Sequence, residues 1–404
     1  VKNKNIINNE YYQNFISSLA SNCFYNEYSW FESSKELKNI SLLREKIQKN
    51  LDKNKKIILN EIFILASYRP LYEFKNIHKY FLDSGHPIIK EQILDFIIED
   101  SFVDKVKSLS TIKNKISLGV RSQYENYPYP RWKSLDQENR DKDKYINHVR
   151  SVTNSAIIEK NIKSVLVAGC GTGKHPVDIA LTDPSLEIYA MDLSKRSLAY
   201  GMRKSAEMNL SNIKWFHGDI LELKSIEKKF DLIESVGVLH HMENPKQAFN
   251  ILSEILNPNG FMKIGLYAKS MRDTLKPAKD FIKKNKLSKD LKSIQKARKL
   301  ISQNKEIEMV KPVVTSMDFY SSSQFIDFLM HEQELHFEIN DLVRLYGFDY
   351  KFLGFEIHPD LKPRFDDLKK RIKVTENEFE NWKSIEKIDP SFFSNMYQFW
   401  LQKK

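Results

Sequence analysis

The sequence predicts an α/β protein: a largely parallel sheet with helices on both faces, preceded by a helical domain and interrupted by a helical insertion after the fifth strand. Three observations carry this reading. Apolar residues recur three and four apart from about residue 10 to 115, with almost no glycine. From 163 onward short β-like runs alternate with helical stretches, and after 268 that alternation stops, to resume only near 350.

In the first part Phe15, Leu19 and Phe24, then Ile58, Ile62 and Leu65, line up on helical faces, and Gly85 in SGHP marks a turn. This gives an N-terminal helical domain over 1–115. A connecting segment, 116–160, contains QYENYPYPRW (123–132), whose two prolines forbid a regular helix and whose aromatics are too dense for a plain linker. The core over 161–268 reads as SVLVAGC (164–170), a helix from Pro176, LEIYAMD (186–192), a helix after Ser194, IKWFHGD (213–219), FDLIESV (230–236), a helix from Asn244 and GFMKIGLY (260–267). The insertion over 269–347 combines a Lys-rich helical segment to 315 with a second one over 316–347, and is expected to cover the substrate. There Ser321 and Gln324 have capping-box spacing ahead of Phe325, Phe328 and Leu329. YKFLGFEI (350–357) and MYQFWLQK (396–403) complete the sheet within 348–404.

Composition sets the bounds. The 404 residues suggest two or three domains, and 41% hydrophobic with 12% aromatic residues exclude a wholly disordered chain. Cys23 and Cys170 cannot build a disulfide framework and sit in no CxxC or Cys/His cluster, so a reducing compartment and no bound metal are expected. No apolar run approaches the roughly 18 residues that span a bilayer, and residues 1–20 lack a signal core. A soluble, cytoplasmic protein without membrane insertion is expected. Val1 stands where Met would begin a chain, which suggests a fragment of a longer protein or an alternative start codon.

The most informative stretch is VLVAGCGTGKHP (165–176), a hydrophobic strand that ends in Gly169-Cys170-Gly171-Thr172-Gly173. Glycines at such a turn permit positive φ and close approach to a ligand. A phosphate-binding P-loop fails, because Ala168 holds the first Gly position and His175 follows the lysine. A dinucleotide fingerprint fails because Lys174 stands where its last Gly is needed. The GxGxG spacing suits a ligand without a pyrophosphate. Asp192, ending the second strand, could accept from both ribose hydroxyls, and Asp219, ending the third, from an adenine amino group with Ile220 on the ring.

Together these residues resemble the class I S-adenosylmethionine-dependent methyltransferases, and ESVGVLHHMENP (234–245) is similar to that family's motif beneath the methionine moiety. The resemblance implies a Rossmann-like seven-stranded sheet and S-adenosyl-L-methionine as cofactor, held by Gly169, Cys170, Gly171, Thr172, Gly173, Asp192, Leu193, Asp219, Ile220 and Ser235. One departure stands out: the family usually carries an acid two positions before the first glycine, and here that residue is Val167. The aromatic strip of Tyr124, Tyr127, Tyr129, Arg131 and Trp132 is expected to close over the cationic sulfonium, with Tyr124, Tyr129 and Arg131 at the cofactor; packing between domains is the other reading. Outside the nucleotide site, FISSLASNCFYNEYSW (15–30), QYENYPYPRW, DFYSSSQFIDFLMHEQELHF (318–337) and MYQFWLQK resemble a tetratricopeptide-associated bacterial group that includes rickettsial protein-lysine methyltransferases. That implies N-methylation of a protein or peptide lysine, although no tetratricopeptide array is visible in this chain.

Methyl transfer needs a neutral nucleophile in line with the methyl group, whereas a free lysine titrates near ~10.4. His331 and Glu334 of HEQELHF are therefore expected at the acceptor, and His240 as a candidate base lining its pocket. The plainer readings make Glu332 and Glu334 helix-surface charges, His336 a packing residue and His240-His241 a structural turn. A zinc HExxH helix is excluded, since His336 lies five residues after His331 and four are needed. A small-metabolite methyltransferase and a non-catalytic cofactor-binding module remain alternatives. Nucleic acid is disfavoured as partner by the absence of an Asn/Asp-Pro-Pro-Tyr/Phe signature from 231–245, and NAD chemistry by the glycine spacing. Finally, residues 269–308 hold thirteen Lys or Arg against five Asp or Glu, most of the net +11 of the chain. This stretch is either a solvated surface or a guide for an acidic macromolecular substrate.

Overall fold

The computed structural model describes residues 10–81, 84–109, 111–135, 143–153, 161–393 and 396–404. Expectations attached to Val1 and to residues 136–142 and 154–160 of the connecting segment lie outside the described residues. The chain forms two compact units, one of Val1–Asp104, Pro130–Lys133 and Pro277–Met330, the other of Lys105–Tyr129, Ser134–Lys276 and His331–Lys404. These boundaries differ from the five expected segments. Most of the insertion belongs to the helical unit, and its last part, 331–347, belongs to the sheet unit.

The sheet has strands β1 (Lys107–Ser108), β2 (Ser164–Ala168), β3 (Glu187–Asp192), β4 (Ile213–His217), β5 (Phe230–Val236), β6 (Leu256–Tyr267), β7 (Tyr350–Phe355) and β8 (Met396–Lys403), in the order β1-β4-β3-β2-β5-β6-β8-β7. All pairs from β1 to β6 are parallel; β8 lies antiparallel between β6 and β7. The seven expected strands are therefore joined by an eighth, β1. Two residues are too few for any alternation to show in sequence, and this edge is fixed by tertiary bonds instead: Leu109 N donates to His217 O at 2.9 Å, and Ser108 Oγ lies 3.1 Å from His217 Nδ1.

β2 is buried at all five positions, as a central parallel strand must be. Leu166 and Ala168 pack into one layer with Phe249, Leu252 and Leu342; Val165 and Val167 pack into the other with Tyr145, Val149 and Ile179. The helices begin where short polar side chains can cap them. Ser194 accepts from Ser197 N ahead of Lys195–Glu207, and Asn244 accepts from Gln247 N ahead of Pro245–Glu254. The helix after the glycine loop starts at Lys174, two residues before Pro176.

In the helical unit a reciprocal box of Ser33 and Glu36 opens the helix Ser34–Asp52, and Ile47, Leu51, Ile62, Phe63 and Leu65 form the core. The insertion segment closes on the same unit: Gln295 Nε2 donates to Tyr28 O at 2.8 Å and Arg298 Nε to Phe319 O at 2.7 Å. Ser321 caps Ser322–Leu329 by accepting from Gln324 N, but the Gln324 carboxamide oxygen accepts from Ser321 Oγ, so only half of the expected box forms.

Gly201 illustrates how tightly the sheet unit is packed. A Cβ there would lie 2.5 Å from the Trp215 ring and 3.1 Å from Thr172 O. Alanine would gain about 1 kcal/mol of helix propensity, yet overpacking costs about 1–3 kcal/mol. Gly201→Ala is expected to lower the urea midpoint; an unchanged or raised midpoint would contradict this packing.

Candidate active site

Parallel strands place their carboxyl ends, and the loops that follow, along one edge. At that edge β2 runs into the glycine loop, with φ of +79° at Gly169, +54° at Gly171 and +79° at Gly173. Side chains are excluded sterically as well: a Cβ on Gly169 would lie 2.3 Å from Val238, and one on Gly173 2.4 Å from Trp215. The loop is fastened to β3, since Gly169 N and Cys170 N both donate to Met191 O, at 2.8 and 2.9 Å. Gly171 N donates to Asp192 Oδ2 at 2.8 Å, and Ser194 N to Asp192 Oδ1 at 2.9 Å. Burial raises the Asp192 carboxyl from 3.8 to about 6, although these amides pull the other way.

The aromatic strip crosses the same edge. Thr172 N donates to Tyr129 O at 3.2 Å and Ser194 Oγ to Tyr124 O at 3.1 Å. Glu125 accepts from Lys195 N and Arg196 N, at 2.8 and 3.3 Å, at the start of the next helix. Contrary to the expectation from its prolines, the strip begins as a helix: Lys115–Asn126 continues through Gln123 and stops two residues before Pro128. Arg131, expected at the cofactor, belongs to the helical unit, where its Nε lies 3.4 Å from Glu27 Oε1 and its guanidinium 4.9 Å from the Phe24 ring centre. Trp132 is buried in that unit too.

Leu193 is half-buried beside Asp192. Asp219 is buried, and its Oδ1 accepts from Leu221 N at 3.0 Å, capping the turn Ile220–Ser225; Ile220 is buried beneath it. Ser235 Oγ is buried without a partner among the described residues, an orphaned polar atom that a ligand group can satisfy. Burial pushes the Cys170 thiol well up, which fits a small packing residue and no nucleophile. The bare glycine cradle, the Asp192 carboxylate and this hydroxyl suit a nucleoside with hydroxyl and amino groups.

HEQELHF forms an extended strap, not the helix that surface-charge readings assumed. Leu335 N donates to His240 O at 2.8 Å and Phe337 N to Tyr267 O at 2.9 Å, tying it to the ends of β5 and β6. Glu334 receives Arg272 at both oxygens, 2.7 and 2.6 Å, and His336 Nε2 lies 2.6 Å from Oε1. This expected acceptor residue is thus a buried anchor. His240 is fully buried, stacked 3.8 Å from the Tyr267 ring, and burial with the neighbouring charges holds it neutral, well below its ordinary range. It is a turn residue and is not placed as a surface base. His331 is different: half-buried, stacked on His241 at 3.5 Å, with Nδ1 2.7 Å from Gln333 O and Nε2 3.2 Å from the Tyr124 hydroxyl. Nδ1 also accepts from Gln333 N at 3.2 Å, so one ring nitrogen faces the Gln333 backbone and the other the Tyr124 hydroxyl. Sequence reasoning missed Arg272, Tyr267, Glu125, Glu234 and His175; Glu234, one of two acids in the strand FDLIESV, was the available signal for one of them.

The strand order and the glycine loop have the arrangement of a Rossmann-like methyltransferase fold. Residues 159–309 match the family model described as a methyltransferase domain. An uncharacterised protein of Synechococcus is 26% identical over 56% of this chain and 57% of its own length. A demethylmenaquinone methyltransferase of Geobacillus is 27% identical over 24% of this chain and 42% of its own. Among solved structures, PKMT2 from Rickettsia typhi shares the fold with a TM-score of 0.50 at 16% identity, over 68% of this chain and 54% of that one. The chain thus spans about half the length of the relatives it matches. No helix among the described residues is long and apolar enough to cross a membrane.

The Asp192 carboxyl gives a pH signature. Its ionised form accepts through both oxygens, and protonation below about pH 6 removes that capacity. Affinity for S-adenosylhomocysteine is expected to be flat above pH 7 and to fall toward pH 5. Asp192→Asn should bind roughly 10–100-fold more weakly at pH 7.5, the worth of a charge-assisted hydrogen bond, with a flattened profile. Titration calorimetry at several pH values checks this. The same raised pKa makes a contribution to stability that is present below pH 3.8 and lost as pH rises through about 6.

Proposed function

We propose that the chain is an S-adenosylmethionine-dependent methyltransferase that N-methylates a lysine side chain of a protein. One observation carries the amine reading: the strip that crosses the glycine loop also ends on His331, through the Tyr124 hydroxyl at 3.2 Å from Nε2. His331 is therefore linked to the strip at the cofactor loop by a single side chain. The bound cofactor supplies a methyl group on a cationic sulfur. His331, hydrogen-bonded to Tyr124, takes the proton of an incoming ammonium, so that a neutral amine meets the methyl group that the bound cofactor would supply. Tyr124 and Tyr129 offer aromatic faces that favour the cation and exclude water. Resemblance of the strip and of HEQELHF to protein-lysine methyltransferases supports a protein acceptor.

The lysine-rich stretch supports an acidic one. Lys283, Lys284, Lys286, Lys292 and Lys296 are all exposed, a positive surface suited to steering a negatively charged partner.

Three measurements test this reading. With methyl-labelled cofactor and a cell lysate, label is expected to migrate with protein; label found only in small molecules would favour a metabolite acceptor, and none at all a non-catalytic module. His331→Gln is expected to lower turnover roughly 10²–10⁴-fold while S-adenosylhomocysteine affinity stays unchanged. Replacing Lys283, Lys284 and Lys286 by Gln should lower kcat/KM on a protein acceptor and weaken its dependence on salt. Retention of both values would reduce the stretch to a solvated surface.

A further inference from the structure

Glu234 lies at the centre of the sheet, on β5, with Val167 of β2 and Lys263 of β6 beside it in register. Its side chain is 1% exposed. The Tyr145 hydroxyl donates to Oε1 at 2.9 Å, and His175 Nε2 lies 2.5 Å from Oε2. The surroundings are charged further out: the Lys263 ammonium pairs with Glu356 at 2.7 Å, and His148 stacks on Tyr145 at 5.2 Å. Burial by itself would push this carboxyl up; His175, Lys263 and Tyr145 more than reverse it, to about 2.

His175 is in the first turn of the helix Lys174–Thr182, two residues beyond Gly173. A deeply buried anion thus holds the side chain that follows the glycine loop directly. Burying an ion pair gives little net stability, because desolvation offsets the attraction, but it fixes geometry strictly. The carboxylate acts from β5 because the neighbouring position on the loop's own strand is Val167, which has no polar atom to offer.

We infer that Glu234 and His175 form a clamp that holds the glycine loop in its nucleoside-receiving shape, so that both are positioning residues for the cofactor. The inference rests on the proposed function, in that it takes S-adenosylmethionine as the occupant of this loop.

The test is a double-mutant cycle on the full chain, with S-adenosylhomocysteine affinity read by calorimetry and the ligand-free melting temperature read alongside. Glu234→Gln keeps the volume and a contact for Tyr145. It and His175→Gln are each expected to weaken binding about tenfold. The double variant is expected to be no weaker than the weaker single, since each change opens the same clamp. Unchanged affinity in the singles, or losses that simply add, would overturn the inference, whatever happens to the melting temperature. If Glu234→Gln does not fold, His175→Gln at its partly exposed position decides alone, with unchanged affinity overturning the clamp. Failure of the unaltered chain to bind S-adenosylhomocysteine is a separate outcome, which overturns the cofactor assignment and the clamp with it.

Discussion

The site depends on a carboxylate kept out of water at the end of β3. Asp192 accepts from Gly171 N on one side and Ser194 N on the other, so it links the glycine loop to the turn that begins the next helix. Each neighbouring feature needs that link. The positive φ values of Gly169, Gly171 and Gly173 make a loop that would wander without an anchor, and the strip residues Tyr124 and Tyr129 bond to backbone on either side of it. Among the described residues no cation pairs with Asp192, and burial has shifted its carboxyl to about 6. An anion stabilised only by amides can trade them for ligand hydroxyls at little cost.

The acceptor side is organised by a different kind of bond. Arg272 and Glu334, 2% and 8% exposed, form a two-pronged ion pair between the end of β6 and the strap. Removing one partner from such a pair leaves a buried charge and costs about 3–5 kcal/mol, so the strap is held firmly at this point. Tyr267 lies beneath the guanidinium at 4.0 Å and carries His240 on its ring. His331, at the other end of the strap, is fixed through Gln333 O, which also receives His241 Nδ1 at 2.7 Å. One carbonyl thereby holds two imidazoles in place.

Much of this was legible in the sequence, and the remainder was not for definable reasons. FDLIESV and MYQFWLQK matched β5 and β8 residue for residue, because short runs rich in β-branched and aromatic residues have few alternatives. β6 starts at Leu256, four residues before the expected 260, since Asn257-Pro258-Asn259 reads as a turn and is instead absorbed at a bulge opposite Phe230 and Leu232. The glycine loop and Asp192 were found because their constraint is local and written in adjacent residues. Glu334 was found as chemistry, but its pairing with Arg272 was not legible, because that partner is 62 residues away. The neighbours of Arg131, Glu27 and Phe24, were out of reach for the same reason, about a hundred residues earlier in the chain.

The two buried carboxylates of the sheet unit show why location alone does not assign function. Asp192 and Glu234 stand on strands either side of β2, and both are almost fully removed from solvent. Asp192 has amide donors and a raised pKa, so its charge is only just maintained and its partners can be exchanged. Glu234 has a histidine, a tyrosine and a nearby lysine, and is held ionised at about 2, so exchanging its partners would leave a bare charge in the core. The first environment suits a ligand that comes and goes, and the second suits a scaffold that must not move. Val167 makes the division possible: with a valine between them, no third carboxylate competes for the loop, and each acid keeps its own donors.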